Sequence, residues 1–120
     1  MSLELQIHEL DTHLSIKAVG RYSLANLSAL FDRVKDESEK RANKGVILDV
    51  TEVAGTIPTV DMHVLGKRCS GVWKLARRIA IVSPVGGIGK FFENVARNRG
   101  VQVVVVPNQC AAMEWVNCHQ

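Results

Sequence analysis

The chain has 120 residues, which is the length of one domain, so a single domain over residues 1–120 is predicted. Hydrophobic residues make up 47% of the sequence and the formal net charge is +3, which excludes a disordered chain and gives no basis for nucleic-acid binding. No segment approaches the roughly 20 apolar residues of a membrane span, and no secretory signal opens the sequence. We therefore expect a cytoplasmic protein without an integral membrane segment.

Two segments with alternating hydrophobicity open the chain. Apolar and polar residues alternate over 3–9 and again over 13–19, which is the period of a half-buried strand. The short turn between them predicts an antiparallel hairpin. The outer edge of such a hairpin allows, but does not require, pairing into a homodimer.

A helix is predicted after the hairpin. Ser23 can cap its first turn, and the apolar residues at 27, 30, 31 and 34 fall on one face. This helix is expected to end near Asn43, before Gly45.

Three nearly continuous apolar runs follow, at 46–50, 79–83 and 101–106. Such runs are typical of parallel strands that are covered on both faces, and a helical pattern follows each of them. The predicted order is β-β-α-β-α-β-α-β-α, with right-handed crossovers between parallel strands. The predicted fold is therefore α/β, with a mixed, mostly parallel sheet of about five strands and four helices.

The later helices carry most of the aromatic residues. The second is predicted to run from Thr59 to about Trp73, and the third to turn Phe91 and Phe92 inward. Asn108 is predicted to cap the last helix.

The three cysteines are Cys69, Cys110 and Cys118, and their spacing fits neither a disulfide framework nor a zinc motif. Cys69 and Cys110 fall in predicted helices, where they are expected to be small core residues. Free thiols suit a reducing compartment.

With its strands and helices in the predicted order, the chain resembles the STAS-like superfamily. This superfamily includes the SpoIIAA-type anti-sigma-factor antagonists and the SpoIIAA-like proteins. The resemblance covers nearly the whole chain. The matching segments are Gly20-Arg-Tyr-Ser23, Val46-Ile-Leu-Asp-Val-Thr51, Arg78-Ile-Ala-Ile-Val82 and Ala111-Ala-Met-Glu-Trp-Val116. The resemblance implies a protein that binds partners without catalysis.

The resemblance also implies a phosphorylation switch where the second helix begins. The antagonists carry Asp-Ser-Ser-Gly there, with the first serine phosphorylated. This chain has Ile57-Pro-Thr-Val60 instead, so Pro58 stands in the place of the phosphorylated serine and only Thr59 keeps a hydroxyl.

The third strand, the loop after it and the start of the second helix form a strand-loop-helix corner. Two polar residues at this corner each have a structural and a functional interpretation. Thr59 can be a plain N-cap or a phosphorylation site at the positive end of the helix dipole. Asp49 can meet a ligand at the carboxyl end of its strand, or it can accept backbone amides of the following loop, which we favour.

The candidate partner and phosphorylation surface consists of residues around this corner: Asp49, Pro58, Thr59, Asp61, His63 and Lys67. Asp61 and His63 are two residues apart on a helix, so they point away from each other and form no acid-base pair. No histidine spacing fits a metal site, and no serine or cysteine has the surroundings of a nucleophile. We expect no catalytic, cofactor or metal site and no enzymatic activity.

A glycine-rich turn before the third helix is a candidate anion site, formed by Gly86, Gly87, Gly89 and Lys90. Anions bind at such strand-to-helix turns. However, Pro84 stands where a phosphate loop needs its first glycine, and Phe91 stands where that loop needs serine or threonine. A flexible connection is the alternative.

Three functions remain open from the sequence. The leading hypothesis is a cytoplasmic regulatory or protein-interaction module of STAS-like type, whose protein partner the sequence does not name. One alternative is a carrier of a hydrophobic or lipid-like small ligand. The other is an anion or nucleotide binder at the glycine-rich turn.

Overall fold

One five-stranded sheet organises the chain in a computed structural model that describes residues 3–40, 45–73, 78–84 and 87–117. Its strands are β1 (Glu4–Glu9), β2 (His13–Arg21), β3 (Gly45–Ala54), β4 (Ile79–Val82) and β5 (Val103–Val106). They lie side by side in chain order, with β1 antiparallel to β2 and each later pair parallel. The predicted hairpin and the predicted mixed sheet are confirmed.

Four helices cover the two faces of this sheet: α1 (Leu24–Lys40), α2 (Thr59–Val72), α3 (Lys90–Arg97) and α4 (Gln109–Asn117). Right-handed crossovers between parallel neighbours in sequential order place successive helices on the same face. Accordingly, α2 packs between α1 and α3, and these three enclose the larger core. The last described helix, α4, packs on the opposite face over β3, β4 and β5.

An aromatic cluster joins the three helices of the larger core. Phe31 is fully buried, and its ring centroid lies 4.5 Å from that of Trp73 and 5.7 Å from that of Phe92. The indole Nε1 of Trp73 donates a hydrogen bond to the carbonyl oxygen of Phe31 at 3.0 Å. Trp73 therefore closes the core where α2 ends.

The side-chain caps predicted at Ser23 and Asn108 are confirmed. Ser23 Oγ accepts the amide of Asn26 at 2.9 Å, and Asn108 Oδ1 accepts the amide of Ala111 at 2.9 Å. These oxygens satisfy amides that have no partner within the first turn of a helix. Asn43, the expected end of the first helix, lies outside the described residues.

The predicted end of the third strand was wrong, because β3 continues to Ala54 instead of stopping at residue 50. Its pairing with β2 shifts register between Lys17 and Val19, and Val19 then pairs with Glu52. The amide of Tyr22 donates to the carbonyl of Ala54 at 2.7 Å. Pairing with a long neighbour therefore extends β3 beyond its apolar run, across a shift of register.

Two predictions about inward-facing residues were also wrong. Phe91 is 44% exposed, because α3 turns Phe92, Glu93 and Ala96 toward the core instead. Cys110 is exposed, because α4 packs on the sheet through Ala112 and Val116.

The prediction for Cys69 is confirmed. The side chain is fully buried, and burial raises the pKa of its thiol to about 12. Such a thiol is an inert core group. Cys118 lies outside the described residues.

Close packing of α2 against α3 depends on Gly66. A Cβ atom at this position would lie 2.7 Å from Val95 Cγ1 and 2.8 Å from Val95 Cβ. Gly71, in the same helix, has open space at the corresponding place.

We predict that Gly66→Ala destabilises the protein by about 1–3 kcal/mol, because the added methyl group forces α2 and α3 apart. Gly71→Ala is the matched control and should stabilise by roughly 0.5–1 kcal/mol, since alanine is the better helix former. Chemical denaturation of both variants measures the difference. Equal stabilities would mean that the two helices do not depend on this close approach.

Candidate functional site

A pocket of about 270 Å³ opens at the carboxyl ends of β2, β3 and β4. Its lining combines aliphatic side chains (Leu27, Val50, Val53, Ile57 and Ile88) with three hydroxyl-bearing ones (Tyr22, Thr56 and Ser83). The β3–α2 loop forms one side, and the residues that precede α3 form the other. Ligands of α/β sheets commonly bind outside this end of the strands.

Tyr22 connects the pocket wall to the first turn of α2. Its Oη donates a hydrogen bond to Asp61 Oδ2 at 2.6 Å, across 39 residues of sequence. Burial, and then the hydrogen bond and charge of Asp61, raise the pKa of Tyr22 well above its usual range. The phenol is therefore a neutral donor that holds α2 against the end of β2.

The prediction that Thr59 caps α2 was wrong. The N-cap residue is Pro58, and no side chain bonds to a free amide there. The carbonyl of Pro58 accepts the amides of Asp61 and Met62, which places Thr59 inside the first turn. The Thr59 side chain is exposed.

Asp49 is separated from the other candidate residues by the sheet. Its Oδ1 accepts the amide of Thr51 at 2.9 Å and the Thr51 hydroxyl at 2.7 Å. Its Oδ2 accepts Gln109 Nε2 of α4 at 3.1 Å. Asp49 therefore accepts a backbone amide, as in the favoured structural role, but the amide is that of Thr51 within β3 and not one of the following loop. Its carboxylate faces α4 instead of α2.

An apolar patch covers the outer surface where α2 meets α3, and we call it the α2–α3 patch: Val60, Val64 and Phe91. Val60 is 67% exposed, Val64 41% and Phe91 44%. The rings of His63 and Phe91 lie 6.3 Å apart between centroids. Lys67 is exposed one turn further along the same helix, so the structure places His63 and Lys67 beside this patch.

Some residues of the candidate anion turn make hydrogen bonds within the protein. The Lys90 ammonium donates to Glu93 Oε1 at 3.1 Å and to the carbonyl of Val105 at 3.3 Å. The amide of Gly87 donates to the carbonyl of Pro84, Gly89 is the N-cap residue of α3, and Gly86 lies outside the described residues. Anion binding at this turn stays a prediction.

Sequence reasoning missed three residues that the geometry makes prominent. Tyr22 is the sole tyrosine of the chain, but nothing local pairs it with Asp61. Ser83 is only 5% exposed, and among the described residues its hydroxyl has a single long contact, 3.5 Å to the carbonyl of Pro84. Glu93 follows Lys90 by three residues, a spacing that indicates an ion pair but not burial.

A crystal structure from Shewanella loihica PV-4 has a similar backbone. It is described as an uncharacterized protein from the DUF3478 family with a SpoIIAA-like fold. It is 19% identical to this chain, with a TM-score of 0.54, and the match covers 96% of this chain and 94% of that one. This chain has a SpoIIAA-like fold. The predicted SpoIIAA-like fold is thereby confirmed. At 19% identity, the similarity shows the fold and not the function.

Two other comparisons find nothing: neither a protein-family model nor a curated protein matches this chain. Across the described ranges, no helix is both long and apolar enough to cross a membrane. Within the same ranges, no three His, Cys, Asp or Glu side chains converge as a metal site would require.

The single tyrosine makes the Tyr22–Asp61 contact directly measurable. We predict that Tyr22 titrates above its ordinary pKa of about 10, and that Asp61→Asn lowers this pKa. The sign follows from charge, because removing a neighbouring carboxylate makes the phenolate less unfavourable, while burial still opposes it.

Ultraviolet absorbance of the phenolate against pH, with circular dichroism to confirm the fold, checks this prediction. Asp32→Asn is the matched control, since Asp32 is an exposed carboxylate paired with Arg68. An identical tyrosine titration in all three proteins would contradict the contact.

Proposed function

We propose that this protein is a non-enzymatic regulatory module that binds a protein partner through the α2–α3 patch. The observation that carries the proposal is the clustering of exposed apolar side chains there. Single exposed apolar residues are ordinary on protein surfaces, but contiguous patches mark interaction sites.

The composition of the patch supports a protein partner. Phe91 offers an aromatic anchor, and aromatic residues are enriched at the centres of protein interfaces. Lys67 and His63 supply a polar rim, which suits the edge of such an interface. Close packing at Gly66 holds the two helices together, so the patch is presented on a rigid support.

Regulation and location form part of the same proposal. The exposed Thr59 hydroxyl caps no helix, and it lies next to Val60 of the patch. A phosphate there would place about −1.5 to −2 charges beside the apolar surface and at the α2 N-terminus. The free thiols of Cys69 and Cys110 suit a reducing compartment, so we propose a cytoplasmic location.

Val64→Glu tests the proposed surface in an affinity capture from the source cells. We predict that a reproducible partner binds the parent and is reduced about tenfold or more by this charge in the apolar patch. Met113→Glu is the matched control, because Met113 is 43% exposed on α4, across the sheet. Thr59→Glu should also reduce capture if phosphorylation regulates binding.

A partner that is retained equally by the parent and by folded Val64→Glu would contradict the proposed surface. Loss of that partner with both Val64→Glu and Met113→Glu would also count against it, since the effect would then not be confined to one face. Circular dichroism establishes that each variant is folded.

A second candidate function, carriage of a small apolar ligand, is favoured by the pocket beside Ser83. Within the part of the chain that the structure describes, this buried hydroxyl has only a 3.5 Å contact to Pro84, whereas hydrogen bonds between oxygens are usually about 2.7–2.8 Å. A cavity of about 150 Å³ holds benzene, so a pocket of this size suits a ligand of roughly ten non-hydrogen atoms.

We predict that hexanol, as a probe, shifts the NMR signals of residues around the pocket. Val53→Phe should abolish these shifts by filling the pocket, and Ser83→Ala should weaken them by removing the hydroxyl. Val64→Phe is the matched control, because it adds the same bulk on the exposed face of α2. Unchanged shifts in folded Val53→Phe would exclude this pocket.

A further inference from the structure

We propose that Glu93 and Lys90 close the free edge of β5, and that without this closure two copies of the chain pair through their β5 strands. β5 is the last strand of the sheet and has β4 as its neighbour on one side. An edge strand presents unpaired amides and carbonyls that can template pairing with another chain.

The hydrogen bonds between β4 and β5 show which amides and carbonyls of β5 point away from β4. The amide of Ile79 donates to the carbonyl of Gln102, and that of Ser83 to the carbonyl of Val106, both at 3.0 Å. Hydrogen-bonding direction alternates along a strand, so Val103 and Val105 turn their amides and carbonyls away from β4. These are the groups that another strand would bind.

Side chains of α3 occupy the outward groups of Val105. Its amide donates to Glu93 Oε1 at 2.7 Å, and its carbonyl accepts Lys90 Nζ at 3.3 Å. Lys90 and Glu93 are themselves joined at 3.1 Å. The pair therefore offers one acceptor and one donor, as a neighbouring strand would.

The remaining outward amide is used locally. Val103 donates to the carbonyl of Val101 at 3.2 Å, where the chain turns into the strand. Together with the short length of β5, these contacts leave little of the edge open to a second chain.

The buried carboxylate of Glu93 is stabilised by its partners at the β5 edge. The residue is only 6% exposed, and a buried carboxylate is costly unless it is paired and hydrogen-bonded. Lys90 and Arg97 lie 3.1 and 3.6 Å from its two oxygens, and the Val105 amide supplies a further donor. An apolar side chain would fill the same space but would leave that amide without a partner.

A second copy of this chain is the occupant that the open edge would take. The strand is four consecutive valines, so antiparallel pairing about a two-fold axis brings no like charges together. The other edge differs, because antiparallel self-pairing of β1 centred between Gln6 and Ile7 places Glu4 opposite Glu9. That repulsion disfavours the β1 edge as a site of self-pairing.

Glu93→Ala tests the proposal, with sedimentation equilibrium over a concentration series as the measurement. We expect this variant to self-associate about tenfold or more tightly than the parent. Glu93→Gln keeps an acceptor for the Val105 amide, so it should retain the parent's mass.

The double variant Glu93→Ala with Val105→Pro shows whether the association uses this edge. Proline has no amide hydrogen and is tolerated on edge strands where that hydrogen faces solvent. We therefore expect the double variant to return to the parent's mass. Association that persists in the folded double variant would overturn the proposal.

Glu93→Leu repeats the test with the buried volume retained, in case Glu93→Ala does not fold. A folded Glu93→Ala or Glu93→Leu that keeps the parent's mass at every concentration would overturn the proposal. The same conclusion follows if both fail to fold while Glu93→Gln folds, because the hydrogen bond is then required for folding itself.

Discussion

The parallel pairing of β3 with both of its neighbours determines where the other parts of the molecule lie. Leu48 of β3 stands between Ile16 of β2 and Ile81 of β4, and all three side chains are fully buried. Because side chains alternate along a strand, this register turns Asp49 to the opposite face. Right-handed crossovers then place α1, α2 and α3 over Leu48 and leave the Asp49 face to α4. The site, the patch and the closed edge all follow from this division.

The order of strands and helices could be predicted because burial leaves a local pattern in the sequence. The alternation of apolar and polar residues predicted the hairpin, and the continuous apolar runs predicted the three later strands. The end of β3 could not be predicted, because residues 52–54 pair only with the extended part of β2. The N-cap of α2 was missed for a similar reason, since Thr59 is the usual residue type for a cap and Pro58 takes that position.

The position of the candidate site could be predicted from the sequence, but the contacts of its side chains could not. The strand-loop-helix corner was identified, yet Asp49 points across the sheet and Asp61 binds a tyrosine 39 residues away. Long-range partners of this kind leave no signal in a single sequence, because they depend on how separate elements pack. The sequence also predicts no catalytic pair at the corner, and this stays a prediction.

The α2–α3 patch and the closed β5 edge are linked by the rotation of one short helix. Each residue of a helix is turned by about 100° from the last, so Phe91 and Glu93 point in nearly opposite directions. Glu93 must face β5 to bind the Val105 amide, and Phe92 packs on Phe31. Phe91 is therefore turned outward, beside His63. Two adjacent phenylalanines suggested that both face the core, but the hydrogen bond at the sheet edge decides which one is left on the surface.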